Sequence, residues 1–181
     1  ASCAEKKLRN GDYDGAIRIS VRKLKKNPNN LKYISILEQA FNKDNLRDNE
    51  QITYLQKEGS PDRWNQIYNI YEGMKRRQSM VQSLSFVPTG ISFTDYDAEI
   101  INSKQKAAEY YYSHGLSLLE KKDKMSARKA YNEFQQIKSL FNEYKEVDDL
   151  IRKAEAIGIS YVMFKMQNHA IIPLPQQFES E

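Results

Sequence analysis

The chain of 181 residues has a single cysteine, Cys3, and only two histidines, His114 and His169. One thiol closes no internal disulfide and builds no cysteine-rich zinc site. Two histidines far apart in sequence leave the usual paired-histidine metal sites without material. Seven glycines and five prolines are few for this length, which disfavours turn-rich all-β folds and glycine-rich phosphate loops. No apolar run approaches the ~18 residues that a membrane-spanning helix requires. Neither sign of charge dominates, with 28 Lys and Arg against 24 Asp and Glu and a net charge of +4. The basic clusters Arg22-Lys23-x-Lys25-Lys26, Lys75-Arg76-Arg77, Lys121-Lys122-x-Lys124 and Arg128-Lys129 have acidic neighbours and read as solvated helix faces rather than a nucleic-acid track. The mild positive balance suits an anionic membrane surface or an acidic partner.

What is present is helical periodicity and tyrosine, twelve of them. Gly11 turns the chain and Asp12 caps a helix carrying Tyr13, Ala16, Ile17, Val21 and Leu24 at helical spacing. Pro28 within Asn27-Pro28-Asn29-Asn30 ends it. A second helix is expected from Leu31, with Ile34, Leu37, Ala40 and Phe41 on one face, and a third, more polar one from about Asn45 to Lys57. Ser60 as cap and Pro61 in the first turn predict the start of a long helix. It carries Trp64, Ile67, Tyr68, Tyr71, Met74, Val81 and Leu84. Pro88 and Gly90 break the segment at about 85–95, whose Phe86, Val87, Ile91 and Phe93 predict a loop packed on the fold. Helices at about 96–121, 124–141 and 144–157 follow, the first capped by Thr94-Asp95.

After Gly158 the composition shifts to strand formers, Ile159-Ser-Tyr-Val-Met-Phe-Lys-Met166, and then to a proline-interrupted stretch from His169 to Pro175. Residues 158–181 thus read as an extended or β-like tail, or the start of a further domain. Ile159, Tyr161, Met163, Ile171 and Ile172 are its candidate docking residues, by strand addition or by threading between subunits.

A signature recurs in the helix pairs. Gly11-x-Tyr13-x-x-Ala16 is followed twelve residues later by Pro28. Trp64-x-x-Ile67-x-x-x-Tyr71 matches the opening of the same unit, and Tyr111-x-x-His114-Gly115-x-x-Leu118 with Ala127-x-x-x-Tyr131 matches it across two helices. Gly115 and Ala127 would let paired helices approach; Tyr111, Leu118 and Tyr131 would fill the seam. Residues 4–157 therefore resemble tetratricopeptide-repeat proteins. The resemblance implies an all-α solenoid of about three helix pairs and a capping helix, with a concave face for a protein or peptide. The first unit departs from the family in its short opening helix and in Ser20, where an aromatic is usual. The third is overlong and runs into the 85–95 loop.

Ala1-Ser2-Cys3 resembles the end of a bacterial lipobox, in which the cysteine thiol is alkylated by diacylglycerol and the chain is cut just before it. Acyl chains anchor through about 0.8 kcal/mol per buried methylene. Together these features resemble tetratricopeptide-containing envelope lipoproteins of the Bacteroidota type. An acidic run after the cysteine, common in surface-exposed members, is replaced by Ala4-Glu5-Lys6-Lys7, which implies a periplasm-facing outer-membrane location. The resemblance implies a non-enzymatic scaffold or adaptor in an export, gliding or uptake complex. Its partners would be other envelope proteins and the membrane through Cys3, with no cofactor, metal, nucleic acid or small-molecule substrate. Two other readings stand beside it: a soluble adaptor holding a partner peptide in the concave groove, and the non-catalytic half of a larger envelope enzyme.

No catalytic constellation emerges. His114 beside Gly115 reads as a packed seam histidine, and His169 has no thiol or carboxylate near it in sequence. Asp95-x-Asp97 and Asp148-Asp149 are too sparse for a calcium loop. Ser79, Ser83 and Ser85 lack a nucleophile-elbow pattern. Tyr110-Tyr111-Tyr112 faces two directions on its helix, leaving Tyr110 for a partner.

Overall fold

A computed structural model describes residues 2–159. The described residues are all-helical, in seven helices: α1 (Cys3–Arg9), α2 (Tyr13–Lys26), α3 (Leu31–Glu58), α4 (Arg63–Gln82), α5 (Asp97–Glu120), α6 (Lys124–Leu140) and α7 (Val147–Gly158). Each packs on its neighbours in sequence, and α1 with α3 and α2 with α4 add contacts across one helix. Tyr161, Met163, Ile171, Ile172 and His169 lie outside the described residues.

At seven residues, α1 is too short to be stable in isolation. Ser2 and Glu5 form a reciprocal capping box at its start, and Ala4, fully buried, seats it against its neighbours. Gly11 then adopts φ +76°, a left-handed turn that a side chain would resist. Asp12 caps α2 by accepting from the Gly15 N–H at 2.9 Å, and Asn30 caps α3 through the Tyr33 N–H at 3.3 Å.

The sequence predicts two helices between residues 31 and 57, but one continuous helix of 28 residues runs from Leu31 to Glu58. The apparent polar break is part of its buried stripe. Leu37, Phe41, Asp44, Asp48, Ile52 and Leu55 share that buried side, so two carboxylates stand where apolar residues are expected. Gly59 stops the helix in the left-handed conformation, φ +75°. The next helix starts at Arg63, two residues after Pro61, and the expected Ser60 cap does not operate. The Ser60 hydroxyl makes no hydrogen bond, and Asp62, at the cap position, accepts from the Gln66 side chain instead.

The segment between α4 and α5 packs as expected for most of its length. Ile91 is buried, and Phe93 meets Phe41 edge-on at 6.2 Å between centroids. Gln78 brackets Thr94 with two 2.7 Å bonds, donating to its carbonyl and accepting from its N–H. Glu38 and Asn42 hold Gly90 in the same way, at 2.9 and 3.0 Å. Val87 is the exception, 44% exposed. At the start of α5, Tyr96 occupies the cap position, while Asp95 accepts from the Asp97 N–H at 2.9 Å. The last helix begins at Val147, three residues later than periodicity suggests, because Lys145 takes φ 43° and interrupts it.

Three apolar clusters form the core: α1–α3 with the end of α4, the α3–α4–α5 junction, and α5–α7. Trp64 and Tyr68 touch both of the latter two, welding them together. Lys106 covers the Trp64 ring at 4.0 Å and Arg63 approaches it at 5.2 Å, so the indole is shielded by cations.

Candidate functional site

The repeat residues are mostly contact residues. Ala16, Ile67, Tyr111, Gly115, Leu118 and Ala127 are buried, whereas Tyr13, Trp64, Tyr71 and Tyr131 are half-buried at helix edges. Pro28 is exposed in the turn between α2 and α3. Gly115 has the clearest physical role. A Cβ built on it would lie 2.5 Å from Cε1 and 2.7 Å from Cζ of Phe134, whose side chain is fully buried. The ring of α6 thus occupies the space a larger residue on α5 would need. Ala127 lies twelve positions after Gly115, and Ala16 lies twelve after Ala4; all four are small and buried. The same offset of small buried residues recurs in both hairpins. Tyr71 packs beside Tyr96 at 5.7 Å between centroids, and the Arg47 guanidinium lies 5.2 Å from the centre of the Tyr13 ring.

His114 is less enclosed than a seam position implies. Its side chain is 40% exposed, and Nδ1 stands 3.1 Å from Glu133 Oε1 while the ring stacks on Tyr110 at 5.5 Å. Tyr110 is therefore engaged by its own helix neighbour. Tyr112 donates to Glu146, which pushes the phenol up to about 12 and holds the Glu146 carboxyl below the usual carboxylate range.

The sequence reading missed a buried charge cluster at the meeting of α2, α3 and α4. Arg77 of α4, 5% exposed, places Nη2 2.8 Å from Asp44 Oδ2 and 2.7 Å from Asp48 Oδ2. Its Nη1 donates to Asn45 Oδ1 at 2.6 Å, and its Nε is 3.8 Å from Asp14 on α2. Arg47 also donates to Asp44. Burial pushes the Asp44 carboxyl up to about 6, against the pull of Arg77 and Arg47. The available signal was in the sequence: Asp44 and Asp48 continue the apolar stripe of α3, and Arg77 lies three residues from the buried Met74. The cluster ties three helices together, with Asp44, Asp48 and Arg77 buried at its centre and Asp14 and Arg47 exposed at its edge.

Two open surfaces lie at the other end of the fold. Leu116 and Leu119 of α5 face Leu150 and Ile157 of α7 across a cleft of about 540 Å³, rimmed by Glu120, Lys122 and Lys153. Lys122 takes φ 55° to close the α5–α6 turn, an unusual conformation for a residue with a side chain. A second cleft of about 250 Å³ lies between α6 and α7, with Tyr131, Ala154 and Ile159 among its walls. Arg128 Nε donates to the Gly158 carbonyl there at 2.9 Å, fixing the end of α7. Ile159 itself is 40% exposed.

Cys3 is an exposed free thiol on the first residue of α1. Among the described residues no group of three or more His, Cys, Asp and Glu is placed to hold a metal ion, and no helix is long and apolar enough to cross a membrane. Compared with known proteins, the chain matches no family model, and no curated sequence or solved structure is significantly similar to it.

Proposed function

We propose that the chain is a non-enzymatic scaffold of the tetratricopeptide type, with α1–α2, α3–α4 and α5–α6 as stacked helix pairs and α7 as the capping helix. In this reading it sits at the periplasmic face of a bacterial outer membrane, held by lipid on Cys3. There it joins proteins of an export, gliding or uptake complex. The carrying observation is the α5–α7 cleft, an apolar floor of four aliphatic side chains inside a charged rim. That composition suits an apolar segment of a partner protein, with the rim fixing its register. Packing between sequence neighbours and the shared twelve-residue spacing of small buried residues support the solenoid.

Lipid on Cys3 is compatible with the local chemistry. Cleavage before Cys3 removes the Ser2 cap, yet N-acylation returns a carbonyl where that of Ser2 accepts from the Lys6 N–H at 3.0 Å. Metabolic labelling with an alkyne fatty acid tests the anchor: label on the parent that is lost in Cys3→Ala is expected, and a parent without label overturns it. The cleft alone also suits a soluble peptide-binding adaptor. The two readings separate on the same label: a soluble adaptor carries none and keeps its partner in Cys3→Ala.

A further inference from the structure

Charge is unevenly distributed along the chain. Residues 2–27, the α1–α2 hairpin, carry eight Lys and Arg against three Asp and Glu, whereas the rest carries 20 against 21. The entire positive surplus therefore belongs to one hairpin. Its three acids are already engaged: Glu5 with Lys32 at 3.0 Å, Asp12 with Lys7, and Asp14 facing Arg77. Lys6, Arg9, Arg18, Arg22, Lys23, Lys25 and Lys26 form no ion pair among the described residues. Unpaired cations occur elsewhere too, as at Lys43 and Lys57; what sets this hairpin apart is how few acids stand among its cations.

Geometry concentrates the surplus. The buried side of α2 is Ala16, Ile17, Ser20, Val21 and Leu24, which turns Arg18, Arg22, Lys25 and Lys26 to the opposite, solvent side. Like charges at this spacing repel on a helix. The helix dipole favours cations in the last turn, which accounts for Lys25 and Lys26 but not for Arg18 or Arg22. At the same end, the Glu5–Lys32 pair brings the start of α1 beside the start of α3. Leu31 projects there, 79% exposed, the most exposed large apolar side chain among the described residues, and Cys3 is exposed on the first turn of α1.

We infer that this face rests on an anionic phospholipid bilayer, with the cationic stripe of α2 over the headgroups and Leu31 inserted at their level. A helix side with long cationic chains, an open hollow lined by Lys7, Gly15, Arg18, Ile19 and Arg22, and one protruding leucine suits a fluid charged plane, where cations settle independently and an apolar side chain gains from immersion. It offers no aromatic stacking platform and no enclosing groove for a nucleic acid. The inference goes beyond the scaffold reading and stands without any acyl group on Cys3.

Flotation of the unacylated full chain with vesicles tests it. Binding is expected to vesicles of phosphatidylglycerol and phosphatidylcholine in equal parts, to be absent from pure phosphatidylcholine, and to fall with added salt. Each cation near such a surface multiplies partitioning about fivefold at low salt. Replacing Arg18, Arg22, Lys25 and Lys26 together by Gln should therefore lower it on the order of several hundredfold. Leu31→Ser alone should lower it severalfold with every charge kept, which a purely ionic contact would not show. Lys121→Gln in the α5–α6 turn with Lys129→Gln on α6 should leave it unchanged. Circular dichroism melting of each variant checks that the fold is kept; should the fourfold variant melt early, Leu31→Ser and the salt series decide. Binding indifferent to lipid charge, to salt or to the α2 cations overturns the inference. So does selective binding of a nucleic acid duplex without vesicle binding.

Discussion

Substituting Gly115 by alanine puts one methyl group into the α5–α6 contact, and its cost can be isolated by comparison with Gly73 of α4. At Gly73 a Cβ would meet only Arg76 Nη2, at 3.9 Å, so Gly73→Ala gains the ordinary helix preference of alanine over glycine, about 1 kcal/mol. Gly115→Ala makes the same gain but forces a carbon to 2.5 Å from the Phe134 ring, where carbon contacts are comfortable at about 3.5–4.0 Å. Phe134 is fully buried among neighbours of α5, α6 and α7, so moving its ring disturbs the packing of that cluster. Overpacking of this kind costs about 1–3 kcal/mol. Because the preference term is common to both, the difference between the two variants reads the clash directly. Urea titrations followed by circular dichroism should show Gly73→Ala more stable than the parent and Gly115→Ala less stable than Gly73→Ala by about 1–3 kcal/mol. In a Phe134→Leu background, the Gly115→Ala penalty should shrink. Equal stabilisation by both substitutions would refute the claim that Gly115 sets the distance between α5 and α6.

Two further substitutions probe strain and buried charge. Lys122→Gly relieves the left-handed conformation at φ 55° and should stabilise the chain by up to about 1 kcal/mol in the same titration; a loss of stability argues against strain there. Asp44 carries a folded pKa of about 6 against an ordinary 3.8, so its contribution is full below pH ~4 and is lost as pH rises to ~6. The fall amounts to about 3 kcal/mol. Glu5, Asp12, Asp123 and Glu146, all shifted downward, act in the opposite sense near pH 4. The stability difference between the parent and Asp44→Asn isolates the Asp44 part: it should move against the parent across this window. Parallel curves contradict the assignment.

Helix content and most turns were legible because local rules and packing agree at Gly11, Asp12 and Pro28. The single α3 was not, because Asp44 and Asp48 break the hydropathy pattern while keeping the geometric one, and their compensation arrives from Arg77, far along the chain. The start of α4 shows the converse: Ser60 and Pro61 have the right chemistry for a helix start, yet the chain begins its helix at Arg63. Gly115 could be singled out by spacing, but the need for glycine lies in the ring of Phe134. The α5–α7 cleft leaves no motif at all, since Leu116, Leu119, Leu150 and Ile157 look like any apolar helix positions. Only the arrangement of two helices that are not neighbours in sequence separates cleft from core.

The central claim, that the α5–α7 cleft receives an apolar segment of a partner protein, is tested most directly by photo-crosslinking in intact cells. A photoreactive phenylalanine analogue would replace half-buried Leu116, with another at Ser35 of α3 as a control outside the cleft. The account predicts one discrete adduct from position 116 that is absent from position 35 and is lost when Ile157→Glu charges the facing wall. Adducts of equal yield from both positions, or an adduct at 116 indifferent to Ile157→Glu, would contradict it.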